Sequence, residues 1–162
     1  MAGFNGLLQA EFHPPHFWKL TKELVFSTPD LSTPEIELLQ RIGVDCAHHG
    51  AITVPVGFET NLASVPRALW SIMAPWDVAR AAVIHDRLYW HCGECYHYMI
   101  RHNSAELHDV WKPARAISDK VFLLAMQAAE PPVSKWKIKA AYRAVRLFGA
   151  KAARSETTRS EA

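Results

Sequence analysis

The chain has 162 residues, of which 49% are hydrophobic, and its formal net charge at pH 7 is +2. This length fits a single domain with a buried core, and no apolar run reaches the roughly 18 residues that span a bilayer. Three cysteines are too few, and too odd in number, for a disulfide framework, so they indicate a reducing compartment.

The first third of the chain predicts a small sheet or hairpin. Residues 17–27 mix aromatic and β-branched residues with polar ones, and residues 50–56 are rich in β-formers, so both segments are predicted strands. Between them, Pro34 suits the first turn of a short helix that ends at Arg41, with Thr33 as its N-cap.

After residue 64 the pattern becomes helical. Pro66 predicts a short helix ending near Met73, and Pro75 predicts the start of a longer one that ends at Gly93. The longer helix repeats mostly apolar residues at the spacing of one buried face. That stripe consists of Val78, Ala81, Ala82, His85, Leu88, Tyr89 and Cys92.

The last third predicts a loop and two more helices. Residues 94–112, rich in histidine and aromatic residues, are the predicted loop, and an apolar helix follows over 114–129 until Pro131 ends it. Ser134 is the expected cap of the last helix. Between residues 133 and 155 there are basic residues and no acidic one, which is typical of a solvated helix face or of a surface for nucleic acid or another acidic partner.

Together these elements predict an α+β fold, a small N-terminal antiparallel β-sheet followed by a bundle of about four helices. One globular domain is expected over residues 1–154, with residues 155–162 as a flexible C-terminal tail.

Four short motifs occur in order within residues 50–149. The first is the run Val54 to Arg67 (VPVGFETNLASVPR) and the second is His85-Asp86-Arg87-Leu88-Tyr89. The third is Ser118-Asp119 with Phe122, and the fourth is Ala144-Val145-Arg146-Leu147-Phe148-Gly149. In this order they resemble a phage-encoded family of unknown function with the pattern VPxGFxTDxASVPR, HDxLY and AVRxFG. The resemblance implies a phage or prophage origin and no established activity.

One position departs from that family pattern. Where the pattern has Asp after Thr60, this chain has Asn61. A neutral amide is a far weaker metal ligand or general base than a carboxylate, so the departure weighs against catalysis in this chain.

The motifs also suggest a polar site. His85 lies in the apolar stripe, so its ring is expected to point inward, and packing of its helix on the next would bring it together with Asp86 and Asp119. One histidine and two carboxylates could ligate a divalent metal that activates water, with Asn61 or Ser64 positioning a substrate.

A structural interpretation competes with the metal site. Asp119 or Asp86 could orient His85, Asp86 could bind backbone N–H groups of the loop before it, and Arg67 could pair with either carboxylate. Asn61 favours this structural interpretation, because its neutral amide is a weaker ligand or base than a carboxylate.

Cys92 and Cys95 form a second candidate site. With nearby imidazoles the two thiolates could hold zinc, although Cys92 also completes the apolar stripe and could simply be core. The nearby histidines are His91, His97, His102 and His108.

Two function hypotheses follow from these sites. The first is a non-enzymatic phage protein, either a virion component of the tail or baseplate or an assembly or host-interaction factor, with Tyr96, Tyr98 and Trp111 as anchors. The alternative is a metal-dependent hydrolase that acts during phage entry or lysis, on cell-wall material for example. Nucleic-acid binding ranks last; it would use Lys135, Lys139, Arg143 and Arg146. The expected location is the host cytoplasm during infection, with incorporation in the virion under the first hypothesis.

Overall fold

A computed structural model of the protein describes residues 1–62 and 78–154, apart from the side chains of Leu107 and His108. The predicted α+β class is confirmed, because antiparallel strands occupy the N-terminal part and helices dominate the rest. In chain order the elements are β1 (Gly3–Phe4), β2 (Ala10–His13), β3 (Phe17–Leu20), β4 (Leu24–Ser27), α1 (Thr33–Arg41), β5 (Ala51–Val54), β6 (Glu59–Thr60), α2 (Ala79–Arg101), α3 (Leu107–Gln127) and α4 (Lys135–Ala152).

The strands form two three-stranded antiparallel sheets, ordered β1-β4-β5 and β2-β3-β6. The single strand predicted over 17–27 is therefore wrong. It is two strands, β3 and β4, because the chain leaves one sheet after Leu20 and enters the other at Leu24. In β4, Leu24 and Phe26 alternate inward and pair with residues of β5, Val54 and Ile52, so the β4–β5 pair contributes one face of the core.

A tight turn connects β5 to β6. The amide of Phe58 donates to the carbonyl of Pro55 at 3.3 Å, and Gly57 has φ +85° at the third turn position, where a type II turn needs a positive φ. The amide of Gly57 donates to the carbonyl of Leu20, which joins the turn to β3. The turn thereby sets β6, with Thr60, beside the core.

Helix α1 begins one residue earlier than predicted, with Ser32 rather than Thr33 as its N-cap. The carboxylate of Glu35 accepts hydrogen bonds from both the amide and the hydroxyl of Ser32, at 2.8 and 2.9 Å. The same carboxylate pairs with Lys120 of α3 at 2.8 Å, so a single side chain caps α1 and ties it to the helical part.

Helix α2 continues well past the predicted end at Gly93, and the predicted loop over 94–112 is wrong. The segment forms the last two turns of α2 and the start of α3, with residues 102–106 between them. The apolar face continues through Tyr96 and the buried Met99, and this packing outweighs the roughly 1 kcal/mol that glycine costs inside a helix. Pro113 is accommodated in α3 with its side chain exposed.

Helices α2, α3 and α4 pack in sequence around one core, with Leu88, Phe122 and Val145 among the buried residues. None of the helices in the parts of the chain that the structure describes is long and apolar enough to cross a membrane. The predicted helix over 66–73, the predicted helix start at Pro75 and the predicted tail over 155–162 lie outside the described residues.

Candidate functional site

The centre of the candidate site is a histidine–aspartate pair between two helices. His85 lies on α2 and Asp119 on α3, and their atoms Nε2 and Oδ1 are 2.9 Å apart. Both side chains are completely buried. The imidazole is also packed between the rings of Tyr89 and Phe122, with centroids at 4.0 and 4.7 Å. The stripe pattern placed His85 inward correctly, and the two helices do meet at this point.

Two more side chains complete the surroundings of the Asp119 carboxylate. The hydroxyl of Tyr89, one helical turn after His85, donates to Oδ1 at 2.7 Å. Arg146 of α4 donates to Oδ2 at 2.8 Å. Asp119 therefore accepts hydrogen bonds from α2 and α4 while it belongs to α3. We call His85, Tyr89, Asp119 and Arg146 the buried cluster.

Arg115 supports the buried cluster from α3. Its Nη2 lies 3.9 Å from Oδ2 of Asp119 and donates to the carbonyls of Val145 and Arg146 at 3.1 and 2.7 Å. Its Nε donates to the hydroxyl of Tyr89 at 3.4 Å. One guanidinium thus bridges the backbone of α4 and the side chain of α2.

The close approach of α4 to Tyr89 depends on Gly149. A Cβ atom at this position would overlap the Tyr89 hydroxyl and lie 3.1 Å from Cζ of the same ring. Any side chain would therefore push α4 away from the phenol. This contact gives a physical reason for the glycine that closes the fourth sequence motif.

The electrostatics keep Asp119 ionised and Tyr89 protonated. Burial alone would raise the pKa of Asp119, but the hydrogen bonds from His85, Tyr89 and Arg146 outweigh it and hold that pKa below its ordinary value. Burial and the neighbouring carboxylate raise the pKa of Tyr89 far above its ordinary value. Because the carboxylate can only accept, Nε2 of His85 carries the proton that they share.

Asp86 turns to a different partner. Its carboxylate accepts a hydrogen bond from the hydroxyl of Thr60, and that hydroxyl in turn accepts from the amide of Leu62 at 3.0 Å. Leu62 has φ +55°, a left-handed conformation that is uncommon for a leucine and that this contact helps to hold. The Asp86 contact therefore fixes the backbone at the end of β6.

The predicted three-ligand site is only partly assembled. His85 and Asp119 come together as expected, whereas the contact of Asp86 described above is with Thr60. Asn61 is exposed at the surface, and Ser64 and Arg67 lie outside the described residues. Within residues 1–62 and 78–154, no group of three histidine, cysteine, aspartate or glutamate side chains is arranged to hold a metal ion.

A comparison with known families bears on this arrangement. Residues 36–145, more than half of the chain, match the model of a family described as "Protein of unknown function (DUF1353)". The chain belongs to this DUF1353 family. No curated protein and no solved structure matches the chain.

Most of the buried cluster lies within the DUF1353 match. His85, Tyr89 and Asp119 are inside residues 36–145, and Arg146 and Gly149 follow directly after it. Sequence reasoning missed the roles of Tyr89, Arg115 and Arg146. Tyr89 and Arg146 are motif residues, which is the available signal, but the sequence pattern groups Arg146 with the basic residues of the last helix. The structure makes Arg146 a cationic partner of Asp119, at 2.8 Å.

Cys92 and Cys95 form no hydrogen bond with Asp119 among the described residues; their sulfur atoms contact other side chains. The Cys92 thiol is buried and 3.6 Å from the hydroxyl of Ser118, and burial raises its pKa to about 12. Cys95 lies one turn further, with Sγ 3.8 Å from the sulfur of Met99, and burial raises its pKa as well. Neither thiol belongs to a group of three potential metal ligands within the part of the chain that the structure describes.

The surrounding histidines contact other parts of the chain. His91 is buried, and burial lowers its pKa to about 4. His97 pairs through Nε2 with the carbonyl of Arg154 at 2.7 Å, and His102 is exposed. The side chain of His108 is outside the described part of the structure. The arrangement therefore supports the core interpretation of Cys92.

Of the three predicted aromatic anchors, Tyr98 is 62% exposed, Tyr96 is half-buried and Trp111 is buried. Trp111 is 4% exposed, and its indole N–H donates to the carbonyl of Ala153 at 3.3 Å. Tyr96 packs on Trp111, and the guanidinium of Arg154 lies 5.6 and 5.0 Å from the two ring centroids. The prediction of Trp111 as an exposed anchor is wrong, because α2 and α3 bury it against the end of α4.

An apolar cavity of about 210 Å³ adjoins Thr60. His85, Asp86 and Asp119 are not among the described residues that line it. The lining consists of Leu8, Ala10, Trp18, Leu20, Thr60, Leu62 and Val83. This cavity therefore does not present the buried cluster to a bound molecule.

Proposed function

We propose that this DUF1353 protein is a non-enzymatic bacteriophage component that acts by association. Under this proposal it is a virion-associated protein of the tail or baseplate, or an assembly or host-interaction factor. The observation that carries the proposal is the engagement of the Asp119 carboxylate. Both of its oxygens are occupied by side chains from neighbouring helices, and the carboxylate is completely buried.

A carboxylate that is buried and hydrogen-bonded in this way stabilises the fold and is not placed for catalysis. A general base or metal ligand needs a lone pair directed at a substrate, water or metal, whereas His85, Tyr89 and Arg146 occupy three of the roughly four acceptor sites of the Asp119 carboxylate, which is completely buried. Buried polar networks that are satisfied in this way rigidify a core and specify its packing. The contacts join α2, α3 and α4, so the buried cluster stabilises the packing of these three helices.

The phage assignment rests on the four ordered motifs. The structure gives physical reasons for several of their residues, since Gly57 makes the turn, Asp86 holds Thr60, and Gly149 admits Tyr89. These residues build a scaffold rather than an open site. A scaffold of this kind suits a component that works by contact with other proteins.

The association can be tested in particles. Particles released by the encoding phage or prophage are purified by density gradient, and the protein is quantified by mass spectrometry. A fixed copy number per particle is expected for a virion component. Absence of the protein from purified particles would contradict the virion role, and particles that form normally after deletion of its gene would contradict the assembly role.

A second candidate function rests on a specific observation at His85. Its Nδ1 atom is buried and has no hydrogen-bond partner among the described residues. An imidazole held by a carboxylate at one nitrogen and unpaired at the other is the arrangement of a general base. The alternative is therefore a metal-dependent hydrolase that acts during phage entry or lysis. It would use His85, Asp86 and Asp119.

Activity on cell walls separates the two candidates. Purified peptidoglycan is incubated with the native protein and with a His85→Gln variant, with and without added divalent metal. The proposal expects no release of soluble fragments by either protein. Release that depends on His85 while the variant remains folded would establish the hydrolase and overturn the non-enzymatic proposal.

A further inference from the structure

The outward side of α4 combines apolar and cationic side chains. Ile138, Ala141 and Val145 are buried on its inner side. At about 100° per residue, Trp136 and Leu147 lie on the opposite side. They are 56% and 74% exposed.

Cations accompany these apolar residues on both sides. Residues 131–154 contain no acidic residue, and the neighbouring Phe148 is 72% exposed. No hydrogen bond or ion pair connects the exposed cations of this surface to the described residues, whereas Arg146, whose side chain is 39% exposed, pairs with Asp119. We call the surface the outer α4 face; it consists of Lys135, Trp136, Lys139, Arg143, Leu147 and Lys151, with the exposed Phe148 at its edge, about 100° around the helix from Leu147.

We propose that the outer α4 face binds peripherally to the surface of an anionic lipid bilayer. A helix lying parallel to a membrane places tryptophan, leucine and phenylalanine at the boundary of headgroups and acyl chains. Long lysine and arginine side chains at its flanks reach the lipid phosphates. On this face Trp136 and Leu147 point directly outward, and Lys139 and Lys151 lie on either side of them.

The apolar residues distinguish this partner from a nucleic acid. A phosphate backbone attracts Lys139 and Arg143 but offers no apolar surface to Leu147 or Phe148. A bilayer accepts both kinds of side chain at once. The inference does not depend on the buried cluster, so it can fail while the proposed function stands, and the reverse also holds.

The test is vesicle flotation with the full chain. Vesicles of equal parts phosphatidylglycerol and phosphatidylcholine are compared with vesicles of phosphatidylcholine alone. We expect binding to the anionic vesicles and an affinity about tenfold or more lower for the neutral ones.

Two double variants separate the charged and apolar contributions. Lys139→Glu with Arg143→Glu, and Leu147→Gln with Phe148→Gln, are each expected to lower the affinity for anionic vesicles by about tenfold or more. All four residues are exposed, so the circular dichroism spectrum and the Tm should remain unchanged. The control is Lys22→Glu with Leu7→Gln, which reverses one charge and removes one apolar side chain at exposed positions outside α4, and its vesicle affinity should equal the native one.

Three outcomes would overturn the inference. One is no binding of the native protein to anionic vesicles, which would leave an acidic protein as the partner. Another is vesicle binding that the Leu147→Gln, Phe148→Gln variant retains in full. The third is binding to short duplex DNA that needs Lys139 and Arg143 but not Leu147 and Phe148, in the absence of vesicle binding.

Discussion

At the scale of single residues, Asp119 carries the largest consequence. Replacing it with asparagine leaves His85 and Arg146 without the buried negative charge that both contact. Removing one member of a buried ionic network costs about 3–5 kcal/mol, so Asp119→Asn should lower the free energy of unfolding by about that amount at pH 7. The exposed Asp45→Asn should change it by less than about 0.5 kcal/mol.

The same substitution has a pH dependence of known sign. The pKa of Asp119 is lower in the folded protein than in the unfolded chain. Its contribution is therefore fully present above the ordinary carboxyl pKa of about 3.9 and is lost as the pH falls through the lower folded value. Urea denaturation should show a native–variant difference that is constant near neutrality and shrinks below about pH 4. A difference that grew on acidification would contradict this account of Asp119.

Gly149 gives a prediction of unusual sign. Replacing a helical glycine by alanine ordinarily stabilises a helix by about 1 kcal/mol. Here the added Cβ would overlap the Tyr89 hydroxyl, so Gly149→Ala should destabilise the protein by about 1–3 kcal/mol in urea denaturation. Tyr89→Phe removes the hydroxyl, and the Gly149→Ala cost should be smaller in that background. An equal cost in both backgrounds would show that the hydroxyl is not the obstacle.

At the scale of elements, the N-cap of α1 can be tested by mutation. Ser32 contacts Glu35, whereas the sequence predicted Thr33 as the cap. Ser32→Ala should lower the free energy of unfolding by about 1 kcal/mol, and Thr33→Ala should leave it nearly unchanged. Thermal unfolding of the two variants decides between them, and a larger loss with Thr33→Ala would restore the sequence-based assignment.

The junction of α2, α3 and α4 tests the position of the aromatic residues. Trp111 is buried and bonded to the end of α4, so Trp111→Ala should cost about 3–5 kcal/mol. Tyr98 is exposed on α2, and Tyr98→Ala should change stability by less than about 0.5 kcal/mol. Comparable losses in a chemical denaturation series would contradict the placement of Trp111 in the core.

Several elements were predictable because their signals are local. The apolar stripe of α2 placed His85 inward, and Pro131 marked the end of α3 within a few residues. The end of α2 was not predictable in the same way, because Gly93 is a local stop signal. Continuation through Met99 depends on packing against α3, a tertiary contact that local patterns do not encode. The division of residues 17–27 between two sheets was not predictable either, because strand pairing is also a tertiary contact.

At the scale of the whole molecule, the buried cluster connects the three long helices. His85 and Tyr89 come from α2, Asp119 from α3 and Arg146 from α4. The sequence suggested that His85 and Asp119 meet, since both lie at apolar helix faces. It could not show that Arg146 reaches the buried Asp119, because a basic residue on an amphipathic helix is ordinarily assigned to the solvated side. The tertiary position of α4 lets the guanidinium pair with Asp119 while the side chain stays 39% exposed.

The metal content and metal response of the purified protein test this account most directly. Elemental analysis of the native protein and of His85→Ala is combined with their Tm values in chelator and in added zinc or manganese. We predict no stoichiometric metal in either protein, no increase of the native Tm with metal, and a lower Tm for His85→Ala. Stoichiometric metal that disappears in His85→Ala, or a metal-dependent rise of Tm that the variant loses, would contradict the structural role of the buried cluster and favour the hydrolase.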